Sequence, residues 1–194
     1  RLLHSWCAGH ARHPATLDDY ASMARASLAL YEATSNIAYL NDAEVYVGTV
    51  DCYHRDPNGA YFFAAEDTPN LITRTKNAND HATPSGNGTL VEVFARLYYL
   101  TGNMDYRDRA NNIVRTFAGE VARNFFPLST LINSSEFLDH GQQLVVVGDR
   151  NEPETHALLR EIENHSLPDR ILSIVDRPDD LPPLHPAAGK DRVD

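Results

Sequence analysis

Asp19, Asp80 and His81 are the residues whose types best suit acid–base chemistry. Carboxyls and an imidazole can trade protons with a sugar carbon, and a carboxyl pair roughly 5–10 Å apart can flank a glycosidic bond. Asp80 and His81 lie in a polar run at residues 74–89, RTKNANDHATPSGNGT, with no hydrophobic periodicity over most of its length. Long polar loops in compact domains are uncommon and often functional. The run also carries Arg74 and Lys76, whose charges suit an anionic group. It closes on Pro84-Ser85-Gly86-Asn87, a turn into a helix start. Ser85 and Asn87 offer a hydroxyl and an amide to a polar ligand, and His13, Asp18 and Tyr20 offer further contacts from a second polar segment, His10–Asp19. Structural roles compete with these: Asp19 completes a capping box with Thr16, and Asn87 is placed to cap the next helix.

Other chemistries fit less well. His4, Cys7, His10 and His13 recur every three residues, but on a helix that spacing drifts round the axis, and Gly9 and Pro14 interrupt it; no metal is expected. Gly148-Asp149 lacks the remaining glycines of a dinucleotide fingerprint, so no cofactor is expected. Ser85 in P-S-G-N is not a nucleophile elbow. The net charge of −10 over 194 residues argues against nucleic acid or an anionic membrane surface as partner. Two cysteines form neither a redox pair nor a disulfide framework, which points to the cytoplasm. The sequons at Asn87 and Asn133 are read as chance. The chain opens without an initiator Met, as a fragment does.

The elements that position the polar runs are mostly helices. A capping-box start at Thr16-Leu17-Asp18-Asp19 opens a helix to about Thr34, with one apolar stripe through Tyr20, Ala24, Leu28 and Tyr31 and a second through Met23, Ala26 and Leu30. A helix from about Ile37 to Tyr53 has a narrower stripe. Tyr61-Phe62-Phe63 and Leu71-Ile72 read as a β-hairpin. A helix from Thr89 to Thr101 is apolar nearly all round, one from Asp105 to Val121 returns to a single stripe, and a weaker one follows Phe126-Pro127 to about Leu138. From Leu144 the pattern becomes strand, helix (Glu154 to His165), strand (Ile171 to Val175): one parallel βαβ unit.

Leu30-Tyr31-x-x-Thr34-x-Asn36-x-x-Tyr39-x-x-x-Ala43 recurs 67 residues later as Leu97-Tyr98-x-x-Thr101-x-Asn103-x-x-Tyr106-x-x-x-Ala110. Self-similarity at a fixed offset is the mark of repeat architectures. With enclosed and exposed helices alternating, it predicts consecutive α-hairpins of a closed toroid. Inner helices of such a ring run the same way. The polar segments before them (His10–Asp19, Arg74–Thr89, Asn124–Thr130) are therefore expected to open onto one hollow, where free amides and partial positive charge suit anionic or polyhydroxylated ligands.

Four co-linear stretches, HSWCAGHARHPATLDDYA, GAYFF…LITRTKNANDHATPSGN, LTGNMDYRDRA and LVVVGDRNEPETHALL, resemble the C-terminal region of the YyaL-type thioredoxin-domain-containing proteins, relatives of spermatogenesis-associated protein 20. The resemblance implies a mainly α fold: a partial (α/α)6 toroid, six-hairpin glycosidase-like and similar to N-acylglucosamine 2-epimerases. It divides into a toroid fragment at 1–140, a βαβ unit at 141–176 and a loosely ordered tail at 177–194. It also implies a thioredoxin-like domain elsewhere, and marks Asp19, Tyr20, Arg74, Lys76, Asp80, Ser85 and Asn87 as motif positions. The family more often has an aromatic where Asn79 stands, Gly where His81 stands and a basic residue where Cys7 stands.

Three readings stand side by side. The first is a carbohydrate-active site for a sugar or sugar acid, with Asp19, Asp80 and His81 catalytic and His13, Asp18, Tyr20, Arg74, Lys76, Ser85 and Asn87 binding. The second is a non-catalytic module serving the thioredoxin-like domain. The third is a structural piece that self-associates through exposed toroid edges.

Overall fold

The computed structural model describes residues 1–190; the last four residues of the expected tail lie outside the described residues. The order of elements is β1 (Leu3–Cys7), β2 (His10–Pro14), α1 (Leu17–Thr34), α2 (Ile37–Tyr53), α3 (Gly86–Thr101), α4 (Met104–Arg123), α5 (Ser129–His140), β3 (Gln142–Val147), α6 (Pro153–Glu163) and β4 (Arg170–Val175). The protein is mainly helical. Among the described residues no helix is long and apolar enough to cross a membrane.

Helix α3 is the centre. Leu90, Val91, Val93, Phe94, Leu97 and Leu100 bury all its sides, and α1, α4 and α5 pack against it while α2 packs against α1. Each fully buried Leu, Val or Phe here stabilises by about 1.5–3 kcal/mol. Helix α4 buries only Ala110, Ile113 and Phe117. Thus α1, α3 and α5 form one row, and α2 and α4 lie behind it. Two polar contacts tie the rear pair: the Tyr106 hydroxyl donates to Glu44 at 2.9 Å, and Arg109 pairs with Asp51.

The repeated motif encodes the turn from front row to rear row. In the first copy the Thr34 hydroxyl donates to the Leu30 carbonyl, the Asn36 amide donates to the Thr34 hydroxyl, and the Asn36 side chain accepts from the Ala38 amide. In the second copy Thr101, Asn103 and Asp105 make the same three bonds. Between Thr and Asn stands a left-handed residue, Ser35 at φ 59° and Gly102 at φ 74°, whose amide closes the helix on Tyr31 or Tyr98. Glycine takes that conformation freely, and serine accepts a small strain.

The β-hairpin is not where the sequence pattern placed it. Around Tyr61 there is one isolated bridge, Arg55 to Tyr61, and Leu71 and Ile72 are exposed. The Tyr61 ring packs against Phe94 of α3, Phe62 lies under Arg74, and the Phe63 carbonyl accepts the Leu17 amide at the start of α1 (2.9 Å). The hairpin is β1–β2, closed by Ala8 and Gly9 at φ 49° and 80°, the left-handed pair that a two-residue hairpin turn needs. His4, Cys7, His10 and His13 therefore lie on two facing strands, with Cys7 opposite His10. The parallel pairing of β3 with β4 is as expected. Strand β4 joins the helices where the Leu172 amide donates to Glu32 on α1 at 3.1 Å. Within the tail, Leu181 and His185 are buried.

His54 follows the last turn of α2 and is fully buried. Its Nδ1 lies 3.0 Å from the Phe62 carbonyl and so carries the proton, leaving Nε2 with no partner. Burial, with Arg74 and Arg1 nearby, pushes its pKa below the ordinary value. The unfolded chain therefore takes up this proton first. Stability is full above about pH 6.5 and falls as pH drops below it. Urea unfolding from about pH 7.5 to about pH 5.5 should show that slope, and His54→Gln should flatten it. A flat native profile over that window contradicts the assignment.

Candidate functional site

The starts of α1, α3 and α5 meet because two aspartates bridge them. Asp18, in the first turn of α1, accepts the Gly86 amide at the start of α3 (2.8 Å). Asp80 accepts the Ser85 amide (2.9 Å) and, from α5, the Thr130 amide (2.8 Å), while its own amide donates to Pro127. First-turn amides have no partner within their own helix and carry partial positive charge, so a carboxylate shared between two starts satisfies both. Close approach needs small residues. A Cβ on Gly86 would sit 2.9 Å from Leu17 Cγ, and one on Gly88 would sit 3.0 Å from the Leu131 amide.

Helix α3 starts three residues earlier than its apolar pattern, with Ser85 as the cap accepting the Gly88 amide at 3.2 Å. Asn87 is thereby inside the first turn rather than capping it. Buried, its amide group accepts from the Tyr61 N–H at 3.0 Å and donates to the Tyr61 and Asn77 carbonyls at 2.9 Å each.

In front of the starts of α1 and α3 lies a cleft of about 260 Å³, which the segment before α5 does not line. Its lining comprises Leu17, Asp18, Phe63, Ser85 and Asn87, together with alternate residues of the polar run: Thr75, Asn77, Asn79, His81 and Thr83. The even-numbered residues of the run make contacts to the body of the protein. Arg74 donates to the Ala64 and Tyr53 carbonyls (3.0 and 2.8 Å) and lies over the Phe62 ring; Lys76 donates to Asp56 and to the Gly59 carbonyl (2.7 and 2.8 Å). Ala78 is fully buried and Asp80 is bonded as above. An extended chain sends successive side chains to opposite sides, and period two divides this run into cleft residues and anchor residues.

Of the ten residues singled out from sequence, Asp18, His81, Ser85 and Asn87 line this cleft. Asp19 is engaged by the Thr16 amide and hydroxyl (2.7 and 2.9 Å) and by His4 at 2.8 Å. Its burial works upward on the pKa, but those three bonds outweigh it and hold the carboxyl below the usual range. The Tyr20 ring is buried and its hydroxyl accepts the Leu2 amide at 3.1 Å. His13 is exposed on β2. Asp18 is the carboxyl shifted upward: burial dominates, Asp19 adds to it, and the Gly86 amide and His81 oppose it. Asn77, Asn79, Thr75 and Thr83 were missed, although the alternation of the run held the signal. Among the described residues no group of three or more His, Cys, Asp or Glu is placed to hold a metal ion.

Over 163 residues the chain is 29% identical to spermatogenesis-associated protein 20 of Mus musculus, covering 82% of this chain and 21% of that protein. The Homo sapiens protein of that name gives 29% over the same shares, and the Rattus norvegicus one 28%. The chain thus spans about a fifth of the length of these curated relatives. No family model matches it.

Proposed function

We propose that the cleft at the starts of α1 and α3 binds a small polyhydroxylated ligand, a sugar or sugar acid. The observation that carries this reading is the row of polar side chains Thr75, Asn77, Asn79, His81 and Thr83, which lines one hollow together with Asp18. Hydroxyls and amides match sugar hydroxyls, and Leu17 and Phe63 supply an apolar surface for a ring face. Asp18 is the sole carboxylate lining the hollow among the described residues, which favours proton exchange between Asp18 and His81 over two-carboxyl hydrolysis. Of Asp19 and Asp80, expected from sequence as catalytic partners of His81, Asp80 enters the proposal as the residue that holds Ser85 in the cleft wall, and Asp19 as the cap of α1.

The wider reading is a partial (α/α)6 toroid like that of N-acylglucosamine 2-epimerases, within a cytoplasmic protein that also carries a thioredoxin-like domain. The two-row order of helices and the twice-used turn support the toroid part of this reading. Self-association belongs to the same reading: Met23 and Leu30, the second stripe of α1, are 42% and 44% exposed. A non-catalytic role for the cleft is favoured by the internal engagement of Asp19, Arg74, Lys76 and Asp80.

Calorimetry and saturation-transfer NMR against N-acylhexosamines, neutral hexoses and uronic acids test the proposal. One class should bind saturably, with His81→Ala and Asp18→Asn each weakening it about tenfold or more. Binding without interconversion of the sugar selects the non-catalytic role. If no class binds, or both variants bind like the native chain, the proposal fails.

A further inference from the structure

A second cleft, about 360 Å³ in volume, lies between the 55–61 loop and the outer face of α4. Three arginines reach it: Arg55 from the loop, and Arg109 and Arg115 from α4. Arg109 is paired with Asp51, which also accepts the Tyr61 hydroxyl at 2.8 Å. Among the described residues Arg55 and Arg115 have no carboxylate partner. Asp56, the acid in the lining, is already answered by Lys76 at 2.7 Å and by the Asn58 amide at 2.9 Å. The cleft therefore carries about two uncompensated positive charges in a chain whose net charge is −10.

The loop is held in shape by its own hydrogen bonds. The Gly59 amide donates to the Asp56 carbonyl, the Asp56 amide to the Ala60 carbonyl, and Lys76 to the Gly59 carbonyl. Gly59 has φ 103°, and a Cβ there would collide with the Thr116 hydroxyl, so the loop backbone rests directly on α4. Asn112 and Thr116 share the α4 face with Arg109 at helical spacing and add neutral polar groups. Guanidinium forks from two directions, on a rigid frame, match the tetrahedral oxygens of a phosphate better than a flat carboxylate, which one fork satisfies.

We propose that this cleft binds the phosphate group of a small phosphate monoester. It is separate from the cleft at the helix starts and stands whether or not that cleft binds a sugar. Inorganic phosphate is the probe, followed by phosphorus NMR and calorimetry at low, matched ionic strength. The native chain should bind it saturably. Arg55→Gln and Arg115→Gln, both at exposed positions, should each weaken binding about tenfold or more. Arg160→Gln on α6 should bind as the native chain does. Absence of saturable binding overturns the proposal. So does a double Arg55→Gln/Arg115→Gln variant that binds like the native chain, or an Arg160→Gln variant that loses as much.

Discussion

Asp80→Ala is expected to destabilise the chain by about 3 kcal/mol, because it removes two charge-assisted bonds, each worth about 1.5–3 kcal/mol, and leaves two amides at helix starts. Those amides, of Ser85 and Thr130, belong to the starts of α3 and α5. The loss is felt as a loosening between two front-row helices, not as a fault within one. Asp80→Asn retains an acceptor oxygen without the charge and should lose about half as much. The pH dependence follows. Burial works upward on the Asp80 pKa, but the Thr130 and Ser85 bonds prevail and hold it below the ordinary value. Its contribution is therefore present above about pH 4 and lost as pH falls through the lower folded pKa. Urea unfolding at neutral and acid pH measures both effects. A loss below about 1 kcal/mol for Asp80→Ala at neutral pH would show that water replaces the carboxylate without cost.

Asn87→Ala is expected to cost about as much, roughly 3 kcal/mol, for a different reason. The Asn87 side chain meets both polar groups of the Tyr61 peptide and the Asn77 carbonyl from a buried position. Truncation leaves a buried N–H and two carbonyls without partners, and no charge is involved. The loss should accordingly be insensitive to salt and constant across pH, unlike that of Asp80. Asn87→Asp should be at least as damaging, since a carboxylate cannot donate to the two carbonyls. Thermal unfolding in low and high salt separates the two cases. A strong salt dependence for Asn87→Ala would contradict this account.

Helix positions were legible along the chain because each apolar stripe is a local property. The expected spans of α1, α2, α4 and α6 match the observed elements to within a few residues. The repeated Leu-Tyr-x-x-Thr-x-Asn motif gave the turn between rows, since all its bonds form within about ten residues. The hairpin failed for the opposite reason. Tyr61, Phe62 and Phe63 have strand-like composition, but Asn87, from 26 residues on, takes the Tyr61 peptide groups that a strand partner needs. At the other end, Cys7-Ala8-Gly9-His10 lacks the alternating apolar pattern of a strand pair and forms one by its turn.

For the candidate site, the sequence by itself determined that a long polar run precedes a glycine-rich helix start and that acids cluster at helix N-termini. What it withheld was which side of the run faces the hollow. That choice rests on long-range bonds, Asp80 to Thr130 and Lys76 to Asp56, that turn the charged residues toward the protein and leave Asn77, Asn79 and His81 on the open side. A charge in a polar segment reads the same whether it meets solvent or the starts of two distant helices. Only the packing of α1, α3 and α5 brings those amides within reach, and the free energy of satisfying them outweighs that of leaving the charges in water.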